Sequence, residues 1–259
     1  MLLTYQGKPA QNYYYSTSCG IGTDAGIWKS GSIQDTVYMQ STRLNLSEYE
    51  DFSPDSMRDE NVFYRFITSV NEHDLESDEP WYRWTYEVTS IDADGILMRM
   101  KERYAASPQS VLTQTQGGYY VSQPVEKLGT VRDIRIVQRG SGGVADELLI
   151  EADTGTYKIV AEYNIRYVLC DRKSEAVRQD GSAVIPAVIL PSGFFVIETG
   201  KDEESVIGYT LIGGGYGHGV GMSQNGAKTL GEEGADCGQI LTYFFAGCEL
   251  KDVAEVTGD

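Results

Sequence analysis

Between Gly213 and Gly221 glycine occupies six of nine positions, in the order Gly213-Gly214-Gly215-Tyr216-Gly217-His218-Gly219-Val220-Gly221. That density argues against a helix or a regular strand interior, because glycine loses the most backbone entropy on ordering. It suits a loop that needs positive φ and close backbone approach. After it, Ser223 is placed to cap a helix through Ala227 to Leu230, with Gly231 or Gly234 ending it; Asp236 is placed to cap a second helix from Gly238 to Phe245, ended by Gly247. Free amides at such helix starts can face a cleft and bind anionic or carbonyl oxygen.

Upstream the pattern is different. The opening residues alternate like a strand, turn at Gly7-Lys8-Pro9 and resume through Tyr13, Tyr14 and Tyr15, which predicts a hairpin. From Trp81 to Phe195 short β-branched or aromatic runs dominate: Trp84 to Val88, Val131 to Gln138, Glu147 to Glu151, Tyr157 to Ala161 and Phe194 to Ile197. Turn residues such as Asp94-Gly95, Ser141-Gly142-Gly143 and Asp153-Thr154-Gly155 separate them. Ile96 to Tyr104 is apolar and basic at helical spacing and predicts one helix. Two acidic stretches, Glu48 to Glu60 and Glu72 to Glu79, read as solvated loops or linkers. The fold class is therefore α+β: a β-rich central region with hairpins, then two short C-terminal helices after the Gly-rich loop. Residues 1–45 carry the hairpin and a first motif segment, 46–204 the β-rich middle, 205–250 the loop and its helices, and 251–259 a tail.

Net charge narrows the partners. With 21 Lys and Arg against 38 Asp and Glu, the 259-residue chain carries a formal charge of -17, which repels nucleic acid and anionic membrane surfaces. A solvated surface explains the acidity, and a neutral or cationic sugar polymer is compatible with it. Cys19, Cys170, Cys237 and Cys248 are scattered without zinc-finger spacing, so neither a metal site nor a disulfide framework is legible, although one bridge is allowed. No run approaches the roughly 20 apolar residues of a membrane span, and no export signal precedes the first strand.

Two clusters carry chemistry-bearing residues. In the Gly-rich loop His218 is either a titratable functional group or a buried structural histidine; His73, among acids, reads as a surface residue. The other cluster is Tyr13-Tyr14-Tyr15-Ser16-Thr17-Ser18-Cys19-Gly20 with Gly22-Thr23-Asp24 and Trp28. Aromatic rings beside hydroxyls suit sugar recognition, and edge-strand tyrosines with a turn explain the pattern equally well. A Cys19–His218 hydrolase and a triad of Ser18 or Ser223 with His218 are weaker alternatives, because no G-x-S-x-G elbow is present. Trp81, Tyr82 and Trp84 read as strand-start core or as sugar-stacking rings.

The stretch Gly215-Tyr216-Gly217-His218-Gly219-Val220-Gly221-Met222-Ser223-Gln224, then Gly226-Ala227 and Ile240-Leu241-Thr242-Tyr243-Phe244-Phe245, resembles the ending of the stage II sporulation protein D (SpoIID/LytB) family. Leu3 to Ala10, Tyr14-Tyr15-Ser16-Thr17-Ser18-Cys19-Gly20, Trp28, Pro80 to Trp84, Ile134 to Gly142 and Leu190-Pro191-Ser192 follow the family's order. The resemblance implies a lytic transglycosylase on peptidoglycan glycan strands, in sporulation or wall remodelling. It implies an extracytoplasmic, wall-facing location and no cofactor. A cell-wall amidase or another sporulation wall hydrolase is the implied protein partner, since some relatives are described as amidase enhancers. The family's catalytic glutamate lies in an S-E-M-P segment that has no match in residues 1 to 259, so the catalytic residue is unassigned and the acid is expected from upstream. A noncatalytic peptidoglycan-binding or amidase-enhancing protein is the alternative. His218 is the supporting candidate, and Tyr15, Ser16, Ser18, Cys19, Gly20, Trp28, Tyr216, Gly217, Ser223 and Gln224 are the expected substrate-binding residues, with no metal. Residues 13 to 28 and 213 to 227 are expected to meet along one groove.

Overall fold

The computed structural model describes residues 1–28, 37–46 and 52–257, and it is α+β. Its first sheet joins the two ends of the chain. β1 (Leu2–Tyr5) pairs with β2 (Lys8–Pro9) on one side and with β15 (Cys248–Lys251) on the other. Tyr5 faces Lys8, so the turn is the two residues Gln6 and Gly7, both at positive φ, the conformation a tight hairpin turn requires. Tyr13 to Tyr15 do not continue that hairpin. β3 (Tyr14–Tyr15) pairs in parallel with β14 (Met222–Ser223), a partner more than 200 residues away.

Two five-stranded antiparallel sheets make the centre. One runs β11-β10-β4-β13-β12, built from β4 (Trp84–Val88), β10 (Ala176–Arg178), β11 (Ala183–Val184), β12 (Phe195–Asp202) and β13 (Ser205–Gly213). The other runs β6-β5-β9-β8-β7, from β5 (Val111–Gln114), β6 (Tyr120–Val121), β7 (Val131–Arg139), β8 (Ala145–Ala152) and β9 (Gly155–Val160). β4 shows the alternation that binds them: Trp84, Tyr86 and Val88 point into the core while Thr85 and Glu87 face out. Those three pack with Ile134, Leu148, Ile150 and Ile159, and with α2 (Ala93–Ala106) and α3 (Glu162–Leu169). α2 is longer than the predicted Ile96 to Tyr104, because Asp92 caps its first turn through Gly95 N–H at 2.8 Å. The expected strand end at Ala161 is instead the entry to α3, where Ala161 at φ 70° turns the chain.

A second core supports the glycine-rich loop. It gathers Leu3, Ile21, Ile27, Leu75, Phe194, Val220, Phe244 and Phe245 around α1 (Glu60–Ile67). The acidic stretch before α1 is thus only partly loop; Glu48 to Asp51 lie outside the described residues. Glu60 opens α1 and holds Arg139 bidentately at 2.6 and 2.8 Å, while the same buried guanidinium donates to Gly143 O and Phe195 O and lies over Phe63. A surface-loop glutamate becomes the partner of a buried cation, which requires such pairing. α4 (Gln224–Glu232) and α5 (Cys237–Phe244) follow the loop with the caps expected at Ser223 and Asp236. Among the described residues no helix is long and apolar enough to cross a membrane.

Candidate functional site

The glycine-rich loop and the tyrosine segment are woven together by their backbones. Ser16 N–H and Thr17 N–H donate to Tyr216 O at 3.2 Å, and Tyr216 N–H returns to Thr17 O at 2.8 Å. Thr23 N–H reaches Gly219 O at 2.8 Å, Met222 N–H reaches Tyr13 O at 3.0 Å and Asn225 N–H reaches Ser16 O at 3.1 Å. Glycine is obligatory at two points of this seam. A Cβ on Gly217 (φ 122°) would lie 2.7 Å from Tyr15 Cβ, and one on Gly221 (φ 77°) 2.2 Å from Tyr13 O. Residues 190–193 close the other flank, through Gly217 N–H to Pro191 O and Ser192 Oγ to Gly214 O.

The seam rests on a residue absent from the sequence-based candidates. Glu76 comes from the acidic stretch 72–79, expected to be solvated, yet it is fully buried. One carboxyl oxygen accepts from Ser18 N–H at 2.9 Å and from Ser223 Oγ at 2.8 Å, tying the first motif segment to the cap of α4. Among the described residues its other oxygen has no hydrogen-bond partner, and it faces the Gly226–Phe244 wall. Burial pushes the Glu76 carboxyl up to about 7, and the bonds from Ser18 and Ser223 only partly oppose that. Asp74, two residues earlier, is also buried and holds Arg43 at 2.8 Å, Asn45 Nδ2 at 2.6 Å and Tyr82 OH at 2.7 Å beneath Gly20. Leu75, the single aliphatic residue between Glu72 and Glu79, is the signal that this stretch turns inward.

His218 sits in the seam with its Nδ1 engaged. Val220 N–H donates to Nδ1 at 3.1 Å, which makes Nδ1 an acceptor and places the proton on Nε2. Burial, then the Arg166 cation, lower its pKa from the ordinary 6.5, opposed by a backbone hydrogen bond with Tyr14. The imidazole is thus pinned by Val220, and burial favours its neutral form. Its ring proton shifts followed by NMR are expected to titrate with a midpoint below 6.5; a midpoint at or above that value contradicts the assignment. The sign is that of a depressed base: the stability it brings is present above 6.5 and lost as pH falls.

The remaining candidates divide by exposure. Tyr15, Ser18, Cys19, Gly20 and Ser223 are buried. Ser18 Oγ accepts from Gly20 N–H at 3.1 Å. Among the described residues Tyr15 OH has no hydrogen-bond partner. Cys19 is free, and burial pushes its thiol up to about 12, so no thiolate forms near neutral pH. At the surface are Tyr14, Tyr216 and Gln224, with Ser16, Trp28, Gly217 and His218 half-buried. Trp28 stands edge-on to Tyr13 (4.7 Å between ring centroids) and to His218 (5.4 Å). Tyr216 lies 4.9 Å from Trp81, whereas Tyr82 and Trp84 belong to the buried interior. Two aromatic patches therefore flank the glycine-rich loop, with backbone amides and hydroxyls between them. Among the described residues no group of three or more His, Cys, Asp or Glu could hold a metal ion.

An α+β fold whose two ends meet in one sheet, with a distant tyrosine segment and glycine loop sewn over a buried glutamate, defines the class of protein. The chain belongs to the family described as Domain of unknown function (DUF8618), whose model matches residues 26–221. It is also similar to the amidase enhancer of Bacillus subtilis (strain 168), at 50% identity over 67 residues. That match covers 26% of this chain and 9% of the relative's length.

Proposed function

We propose that this chain is a noncatalytic, wall-facing glycan-binding module that works with a cell-wall amidase. One observation carries the reading: the groups in the two motif segments best suited to acid, base or nucleophilic chemistry are already committed. His218 Nδ1 accepts from Val220 N–H at 3.1 Å, the Cys19 thiol is buried and protonated, and Asp24 accepts from Gly26 N–H at 2.8 Å. What faces solvent is aromatic and hydroxylic, the composition of a surface that stacks on sugar rings and bonds to their hydroxyls. The partial similarity to an amidase enhancer supports the amidase link.

A lytic transglycosylase is the second reading, favoured by Glu76, whose carboxyl at about 7 retains a proton near neutral pH, as a general acid must. Its complete burial argues against contact with a polymer. Incubation with purified sacculi and with peptide-free glycan strands separates the two. Retention on the strands without new anhydromuramyl ends is expected, together with faster stem-peptide release when an amidase is added. Tyr216→Ala is expected to weaken retention about tenfold, on the order of 1.4 kcal/mol for a lost stacking ring. New anhydromuramyl ends, or no retention at all, would overturn the binding role.

A further inference from the structure

Segments far apart in sequence, 24–26, 37–41, 53–55 and Ser141, enclose a groove of about 510 Å³, within the range of ligand-binding clefts. Its walls are tied to one another: Ser41 Oγ donates to Gly22 O at 2.6 Å, Gly22 N–H to Thr42 O at 2.9 Å and Gly142 N–H to Pro54 O at 3.0 Å. Ala25, Met39 and Pro54 give it an apolar side, and among the described residues its lining holds no Lys or Arg. Gly26 N–H, 2.8 Å from Asp24 Oδ1, fixes the direction of that carboxylate. Among the described residues Asp24 Oδ2 has no partner and no cation stands within 4.0 Å of it, whereas Asp55, the other acid of the lining, has Arg58 at 3.6 Å. Ser141 is only 7% exposed, and among the described residues its hydroxyl has no hydrogen-bond partner. A buried hydroxyl in that state is costly until something in the groove completes it.

We propose that this groove is a subsite for one amino sugar whose amino group is free and protonated, with Asp24 as counter-ion, Ser141 as partner to a sugar hydroxyl and the apolar side against the ring's C–H face. A carboxylate with one oxygen oriented and the other open makes a charge-assisted hydrogen bond to an ammonium. An N-acetylated sugar brings no charge to that place and leaves the carboxylate unmatched. The short turn Ala25–Trp28 lends Ala25 and Gly26 to the groove and sets Trp28 edge-on to Tyr13 and His218, so the groove continues the aromatic surface of the seam. That the amine arrives on a sugar rests on the function proposed above; the preference for a cation is read from the groove itself.

The test titrates the chain with methyl glucosaminide, its N-acetyl counterpart and butylamine at mildly acidic pH, where both amines are protonated, and follows backbone amide NMR shifts. A probe of single charge keeps the general attraction of a chain of net charge -17 from imitating a site. The glucosaminide is expected to bind at least about tenfold more tightly than either other probe, with shifts centred on Gly26, Ser41 and Gly142. Asp24→Asn, which keeps an oxygen for Gly26 N–H, is expected to retain the parent's melting temperature and erase that preference. Ser141→Ala is expected to weaken the glucosaminide about two- to tenfold. Equal affinity for the glucosaminide and its N-acetyl counterpart, or a preference that survives Asp24→Asn, overturns the proposal. Butylamine binding as tightly as the glucosaminide overturns it too, because the groove then takes any ammonium and reads no sugar. Glycan-strand retention without the glucosaminide preference removes this subsite alone, whereas the preference without strand retention supports the subsite and removes the wall-binding function.

Discussion

Glu76→Gln is expected to flatten a pH dependence of stability that the parent chain shows between pH 4 and pH 8. In the unfolded chain this carboxyl titrates near 4.5, and in the folded chain near 7. Folding therefore holds an extra proton across that interval. The stability this confers is fully present below about 4.5 and is lost as pH rises through about 7, a change of about 3 kcal/mol at 1.36 kcal/mol per unit. Glutamine keeps an oxygen to accept from Ser18 N–H and Ser223 Oγ but cannot ionise. Urea midpoints measured across this range should show the gap between variant and parent moving in the variant's favour as pH rises. Parallel curves for the two proteins would show that Glu76 is not the group responsible. Glu76→Ala is expected to be worse at every pH, by about 2–4 kcal/mol, because it leaves two buried donors unpaired and opens a cavity.

Gly221→Ala carries the other large effect. At φ 77° an L-residue costs about 1–2 kcal/mol, and the new methyl would lie 2.2 Å from the Tyr13 carbonyl, a backbone atom that cannot swing aside. That carbonyl accepts from Met222 N–H at 3.0 Å, so the parallel β3–β14 pair must separate to make room. A total loss of at least about 3 kcal/mol is expected, which for a chain of this size lowers the melting temperature by roughly 6–12 °C. Glycan retention should disappear with it, because the tyrosine segment no longer seats on the loop. A melting temperature within about 2 °C of the parent's would mean that the seam tolerates the methyl and is looser than its geometry indicates.

Local signals carried much of the architecture. Ser223 and Asp236 read as helix caps because a cap needs only a short polar side chain and the amides of its own first turn, and both helices form where those residues sit. The alternation of Trp84 to Val88 was legible because one face of a strand is buried against a core, and that strand has the limits its pattern shows. α2 was legible from its spacing. What failed were elements whose partners lie far away. Tyr13 to Tyr15 look like the second arm of a hairpin, but Tyr14 and Tyr15 hydrogen-bond to a strand at the other end of the chain. The helix Glu162–Leu169 had no reading of its own in the sequence, and the run Tyr157 to Ala161 ends where the positive φ of Ala161 turns the chain into it.

The same division runs through the site. The residue types and spacing of 13–28 and 213–227 were enough to mark two segments meant for close backbone approach, since glycine reaches positive φ and close contact at the least steric cost. The sequence alone thus determined that a glycine-rich loop precedes two capped helices, that the middle is β-rich, and that the surface is acidic. It did not determine which of the acids stay outside. Asp74 and Glu76 differ little from their neighbours as letters, yet tertiary packing buries both by supplying each with donors from distant segments, Arg43 and Tyr82 for one, Ser18 and Ser223 for the other. Desolvating a carboxyl is tolerable only where such partners converge, and convergence is a property of the folded chain. For the same reason only the tertiary structure decided the state of His218: its Nδ1 accepts from Val220 N–H and the ring is packed against Tyr15 and Trp28, a burial that lowers its pKa.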